Sequence, residues 1–320
     1  MTMTLPARTA DIEQARARLR PVDFPAPRVR LPNRLEPAAL LSPATGLLLL
    51  FVALPAVLAF AIALFDWSPL SGQITFVGID NYARVLTSPA LLNALGNTLL
   101  YTLMTVPTSV AGGLLVAVGI NALTRGQAIW RAIYFLPTAA VLVAMAAAWR
   151  WIFYPESGLF DHVFGGLIGR TGWLSSSDLA LAGLAIVGNW QNIGYNAVIF
   201  LAGLTGVRKD LQEAALLDGA GAWHRFWHVS WPAIAPATVF TIVISTTSAL
   251  RMFETTQVMT RGGPGENTTT LAHLLWQQGI RNVDFGSAAV TTVVLFLLCL
   301  LVTAWQMRGF GTRLEKAGSR

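Results

Sequence analysis

Hydrophobic residues in this chain run in long blocks rather than in alternation. Six stretches carry no Asp, Glu, Lys or Arg: Pro37–Phe65, Val85–Thr124, Ala132–Trp149, Leu179–Val207, Phe226–Leu250 and Phe285–Met307. They are 29, 40, 18, 29, 25 and 23 residues long. A bilayer's hydrocarbon core, about 30 Å thick, needs about 20 apolar residues in helical form. The pattern predicts six membrane-spanning helices, at about 41–65, 95–122, 128–151, 181–206, 237–258 and 286–307. A transmembrane barrel would alternate with a period of two, and a soluble domain would not carry blocks this long. The predicted fold class is therefore all-α: a polytopic membrane protein with no soluble domain.

The polar segments organise the rest. Residues 1–36 read as a flexible tail rich in Arg and Pro. No short apolar core with a cleavage site precedes the first long block, which reads as an uncleaved span. A transmembrane domain is expected over 37–308, with its longest polar loop at 207–236, and a short tail over 309–320. Span 1 closes on Asp66-Trp67, and a possible amphipathic stretch covers Asn81–Leu92. Pro107 and Gly112-Gly113 fall inside span 2, where neighbouring helices rescue freed backbone groups.

Charge orients the bundle. Only 12% of the 320 residues are charged, about half the share of a soluble domain, and the net charge is +6. In a membrane protein the position of the basic residues matters more than their sum. The N-terminal tail, the loops after spans 2 and 4, and the C-terminal tail together hold 16 Lys or Arg. The opposite side holds five: Arg84, Arg150, Arg170, Arg261 and Arg281. By the positive-inside rule both termini are cytoplasmic. The Arg-rich tail suits anionic lipid rather than nucleic acid. Cys299 is the one cysteine, so no intrachain disulfide forms.

The loop at 207–236 carries the most information. Asp210 followed by Glu213 has the spacing of an N-cap and its capping-box partner. Ala214 to Leu217 favour helix, and Gly219 and Gly221 would end or bend it. A second short helix runs through Trp223, Phe226 and Trp227, and Pro232 is expected to stop it. The product is a compact helix–turn–helix suited to docking.

This loop resembles the EAA loop of binding-protein-dependent ABC importer permeases. The similarity rests on Glu213, Ala214, Ala215, Asp218, Gly219, Ala220, Phe226, Val229, Pro232 and Pro236. Arg131 to Pro137, Trp149 to Phe153, Phe253-Glu254, Thr260 to Pro264 and Thr268 to Leu271 resemble the carbohydrate-uptake branch, the maltose and glycerol 3-phosphate type. Arg261 departs from the pattern, where a small residue is expected. The resemblance implies a type I ABC importer permease fold in a bacterial inner membrane. It implies a second permease subunit of the same family, two copies of an ABC ATPase, and an extracytoplasmic solute-binding protein facing Gly262, Gly263 and Pro264. The loop would couple the ATPase to the spans. ATP and Mg²⁺ belong to the ATPase; this chain has no Gly-x4-Gly-Lys-Ser/Thr, and neither Lys209 nor Lys316 follows a glycine. This chain is then a non-catalytic subunit.

Candidate pathway residues come from the polar positions inside spans. Span 4 carries the run Asn189, Trp190, Gln191 and Asn192, then Tyr195 and Asn196, a mix of amides and rings suited to a sugar's hydroxyls and CH faces. Interhelical hydrogen bonding is the alternative for each. Arg251 and Glu254 in span 5 mark either a pathway or a structural ion pair. His224 and His228 lack a third metal ligand nearby and read as docking residues. Gly262 to Gly265 reads as a structured turn rather than a phosphate nest. A sugar or sugar-like solute is the expected cargo, with glycerol 3-phosphate or another polyol as the alternative. An ion-coupled transporter would carry several embedded acids, whereas Glu254 alone qualifies. No serine elbow, acidic pair or His/Glu cluster suggests an embedded enzyme.

Overall fold

A computed structural model describes residues 35–69, 72–154, 157–168 and 172–318. The expected N-terminal tail lies, up to residue 34, outside them. The chain forms two units, Met1–Pro55 and Ala56–Arg320. In the first, α1 (Leu35–Leu48) runs into a π-helical turn at Leu49–Ala53, closed by the Leu54 N–H on the Leu49 carbonyl. Helix α2 (Leu54–Ile62) carries the chain into the second unit.

An antiparallel ribbon follows, β1 (Phe65–Ser68) and β2 (Gln73–Phe76), with Phe65 opposite Phe76 and Trp67 opposite Ile74. It adds two short strands to a chain whose other described elements are all helical. Its period-two pattern is only four residues per strand, and it begins inside an apolar block that reads as helix. Helix α3 (Asp80–Leu86) is fastened beneath by Asn81, whose buried amide donates to the carbonyls of Ala63 at 3.0 Å and Phe65 at 3.3 Å. Ser88 then caps α4 (Pro89–Ala122), accepting from the Leu91 N–H, with Pro89 at the first helical position. The expected amphipathic stretch over Asn81–Leu92 is therefore two helices divided at Ser88.

The expected third span is broken. Helices α5 (Gln127–Ala139) and α6 (Leu142–Ile152) meet at 95°, because Ala140 and Val141 are extended, with ψ of 146° and 120°. Next come α7 (Leu159–Ile168) and α8 (Ala180–Thr205). Helices α4 and α8 pack closely through small residues: a Cβ on Gly113 would lie 2.5 Å from the Cβ of Asn196. Then follow α9 (Lys209–Leu217), α10 (Ala222–Arg225), a π-helical turn at Phe226–Ser230, α11 (Trp231–Ala233) and α12 (Ala235–Leu250). The expected fifth span breaks after Leu250 and resumes as α13 (Glu254–Met259). The remaining helices are α14 (Leu271–Trp276), which runs into a π-helical turn at Gln277–Arg281, and α15 (Phe285–Gly318). Helix α15 continues through most of the expected C-terminal tail.

Among the described residues, four helical stretches are long and apolar enough to cross a membrane: Leu40–Ile62, Pro89–Ala122, Ala235–Met259 and Phe285–Gly309. The bent pair α5–α6 makes a fifth if counted as one span. Helix α8 has the length, 26 residues, but its amides at 189, 191, 192 and 196 lower its apolarity. Three buried clusters follow α4 from end to end. One holds Leu91, Leu271 and Val290; the next holds Tyr101, Leu184 and Ala249; the last holds Ile120, Phe200 and Ile234. They define two ends of the second unit, the Gly-Gly-Pro end and the Glu-Ala-Ala end.

Candidate functional site

Both helix breaks open on the same cavity, of about 500 Å³. Thr138 and Leu142 flank the α5–α6 break; Arg251, Met252, Glu254 and Thr255 surround the α12–α13 break; all line it. Irregular backbone at membrane depth is tolerated where it borders protein or a wet cavity. The charges suit the ends they occupy. Arg251 sits at the C-cap of α12, its Nε donating to the Thr247 carbonyl at 3.2 Å, and Glu254 opens α13. A cation at a helix C-terminus and an anion at an N-terminus both complement the helix dipole. Among the described residues no ion pair joins Arg251 to Glu254.

Helix α8 supplies the opposite wall through Gly188, Gln191, Asn192 and Tyr195. These are spaced i, i+3, i+4 and i+7 and so share one face. Asn192 donates to the Gly188 carbonyl at 2.8 Å. Of the expected pathway residues, Asn192, Tyr195, Arg251 and Glu254 meet at this cavity. Asn189, Trp190 and Asn196 do not. Asn189 points to the Met104 carbonyl at 3.4 Å, and Trp190 packs edge-on against Trp149. Asn196 is fully buried and accepts from the Ser245 hydroxyl at 3.1 Å. The polar run spans more than one helical face, so only part of it reaches the space. Gln191, part of the expected polar run, lines it too, as do Tyr101, Thr138, Ser248 and Thr255, which the sequence pattern did not mark. A single hydroxyl within an apolar block carries no signal of the space it will face.

A second cavity, of about 670 Å³, lies further along α6 and α13, lined by Arg150, Tyr154, Ser175, Met259, Thr260, Gly263 and Pro264. The Gly-Gly-Pro loop at its rim is firmly tied. Thr268 donates to the Gly263 carbonyl at 2.8 Å, and Asn97 donates to those of Glu266 and Thr269, each at 3.0 Å. Gly262 is buried at a φ of 87°, against Thr269 and His273, so of the three residues expected to face a binding protein Gly263 and Pro264 alone are partly exposed. Arg261 takes a left-handed φ of 54°, its N–H on the Thr256 carbonyl at 2.7 Å. That conformation favours glycine, which has no Cβ, over arginine. Beneath, His273 shares a 2.9 Å hydrogen bond between Nε2 and the Gln257 side chain. Burial, and secondarily the charge of Arg281, hold its imidazole below the usual histidine range.

At the other end, α9 terminates in a Schellman motif. The Gly219 N–H meets the Leu216 carbonyl at 3.0 Å and the Ala220 N–H meets that of Ala215 at 2.9 Å, with Gly219 at a φ of 76°. The expected capping box does not form. Arg208 takes the N-cap position, and Asp210 lies inside the helix, bonded by the Arg208 guanidinium, which holds its carboxyl below the usual range. Glu213 is left exposed on the same helix, with Ala214 and Asp218. Pro232 does not stop the second helix either. The π-helical turn at Phe226–Ser230 shifts the hydrogen-bond register, and the helical path continues to Ala233. Phe226, Trp227 and Trp231 pack on one another, and Ile234 is buried beside Phe200 and Leu204, seating the pair on the bundle. Leu217 at 89% exposure and Trp223 at 74% project outward.

Comparison with known proteins bears on the family and the fold. The family described as binding-protein-dependent transport system inner membrane component matches residues 82–316. The chain is 31% identical to the sn-glycerol-3-phosphate transport system permease protein UgpA of Rhizobium meliloti, over 88% of this chain and 96% of that one. It is 33% identical to the sulfoquinovosyl glycerol transport system permease protein SmoG of Agrobacterium fabrum, over 88% and 92%. In fold it is similar to a chain from the crystal structure of a bacterial ABC transporter involved in import of the acidic polysaccharide alginate. That likeness has a TM-score of 0.75 at 18% identity and covers 87% of this chain and 96% of that one.

Proposed function

Because the chain belongs to the family of binding-protein-dependent transport system inner membrane components, we propose that its polar cavity is one wall of a solute path. The observation that carries this is the meeting of two helix breaks on one cavity lined by Asn192, Tyr195, Arg251 and Glu254. In this reading the chain is a non-catalytic permease subunit of an ABC importer. Six spans cross the inner membrane with both termini cytoplasmic, α8 and the bent pair included. A second permease completes the path. Two ATPase copies, holding ATP and Mg²⁺, grip the loop of α9 to α11, and an extracytoplasmic binding protein delivers the solute near Gly263 and Pro264.

The cargo is a sugar or sugar-like solute, since hydroxyls, amides and a tyrosine ring line the space. A glycerol-based anion is the second reading. Arg251 in the wall favours it, as do relatives named for sn-glycerol 3-phosphate and sulfoquinovosyl glycerol.

The test is uptake in cells by Asn192→Ala and Glu254→Ala, beside recovery of the assembled complex. Both variants are expected to assemble and to lose transport. Normal uptake by both would remove the cavity from the path. For Arg251→Gln, a loss confined to glycerol 3-phosphate and absent with neutral sugars would select the second reading.

A further inference from the structure

The ribbon and α3 form a collar that this transport path does not use. Register places Phe65, Trp67, Ile74 and Phe76 on one face of the ribbon, and Asp66, Ser68, Gln73 and Thr75 on the other. Part of the apolar face is seated. The rings of Phe65 and Phe76 meet edge-on at 5.3 Å, and Trp67 lies against Phe285 at 5.1 Å. Much of it is still bare: Ile74 is 61% exposed, and Phe76, despite its contact with Phe65, 69%. Helix α3 extends the patch. Ile79, 78% exposed, and Leu86, 44% exposed, lie seven residues apart on one face, opposite the buried Asn81 and Val85.

Three span ends meet here. Helix α2 ends at Ile62, three residues before Phe65; α4 begins at Pro89, three residues after Leu86; α15 begins at Phe285, against Trp67. A three-residue link reaches at most about 10 Å. The headgroup layer adds about 5–8 Å to each side of the hydrocarbon core. Strand pairing brings β2 back beside β1, so Ile74 and Phe76 cannot rise far above that layer. Amphipathic elements with aromatic residues held at this depth lie in the plane of the interface.

We propose that the collar is a lipid-interface anchor. Ile74, Phe76, Ile79 and Leu86 enter the headgroup–acyl boundary of the leaflet on the Gly-Gly-Pro side. Asp66 and Thr75 face water. Asn81, bonded to the carbonyls of Ala63 and Phe65, ties this anchor to the end of α2, and Trp67 ties it to the start of α15.

The test uses the full chain in its assembled complex, in phosphatidylethanolamine–phosphatidylglycerol vesicles. Cys299→Ser first removes the native thiol. Cysteines at 73, 74, 75 and 76 then receive, one at a time, a polarity-sensitive fluorophore. Two quenchers are compared: a nitroxide on carbon 5 of the lipid acyl chain, and aqueous iodide. The expected result alternates along the strand, with labels at Ile74→Cys and Phe76→Cys quenched severalfold more by the lipid nitroxide than those at Gln73→Cys and Thr75→Cys. Iodide should show the reverse order. Equal quenching at all four positions, or stronger iodide quenching at 74 and 76, would overturn the anchor. Shielding of 74 and 76 from both quenchers would also overturn it, marking a protein cover instead. Should the strand variants fail to insert, Ile79→Cys against Asp80→Cys supplies the same contrast.

Discussion

Gly219 shows how one backbone angle ends a helix. Its φ of 76° permits the paired bonds that end α9, and beyond its two chain neighbours no atom lies within 4 Å of where a Cβ would stand. Any cost of substitution is therefore conformational rather than steric. Gly219→Val should cost about 1–3 kcal/mol locally, because a β-branched residue resists a left-handed φ. Gly219→Asn should cost less, since Asn visits that region more readily. Both variants should insert, and Gly219→Val alone should lose uptake and stimulation of the ATPase by loaded binding protein. Wild-type stimulation in Gly219→Val would remove this loop from the coupling role. His273 offers a pH signature at the same scale. Its folded pKa lies below the unfolded value of about 6.5. As pH falls through that value, the unfolded chain binds a proton that the folded site refuses, and stability is lost. The thermal midpoint of the solubilised chain should drop between pH 8 and pH 5, more steeply in wild type than in His273→Asn. Equal slopes would show that His273 does not set the response.

At the scale of elements, close approach by small residues joins α4 to α8. A Cβ at Gly113 would meet Asn196 at 2.5 Å, whereas one at Gly119, on the same helix, would meet nothing within 4 Å. Gly113→Val should therefore reduce the yield of folded protein, with an overpacking cost of about 1–3 kcal/mol, while Gly119→Val should leave it near wild type. Gel filtration and thermal melts of the two variants provide the measurement, and equal behaviour would discount the contact. The helix breaks were the elements least legible beforehand. A charge-free block such as Ala132–Trp149 reads as one continuous helix, and the extended residues Ala140 and Val141 have side chains that a helix also accepts. What stabilises the bend is the neighbouring helix, where Thr138 donates to the Gln191 carbonyl at 3.2 Å. The capping box failed for a related reason: Arg208 is near enough to take the Asp210 carboxylate that a cap would have used.

For the whole molecule, the split of basic residues, 16 against five, bears on orientation. A reporter fused after Arg320 that works only in the cytoplasm should be active, and one that works only outside should be silent. The opposite result would invert the chain and place the Glu-Ala-Ala loop beyond reach of any ATPase. By itself the sequence determined the membrane class, because charge-free blocks of this length have no stable place in water. It also determined the helix–turn–helix at 207–236, whose glycine and alanine positions act locally. The tertiary structure alone decided which polar side chains share a space. Helical phase turned Asn192 and Tyr195 toward the cavity and Asn189 and Asn196 into helix contacts. It alone brought Tyr101, on a helix remote in sequence, to the same wall. It decided the ribbon as well, since four-residue strands are stabilised by the pairing and the Phe285 contact rather than by their own preferences.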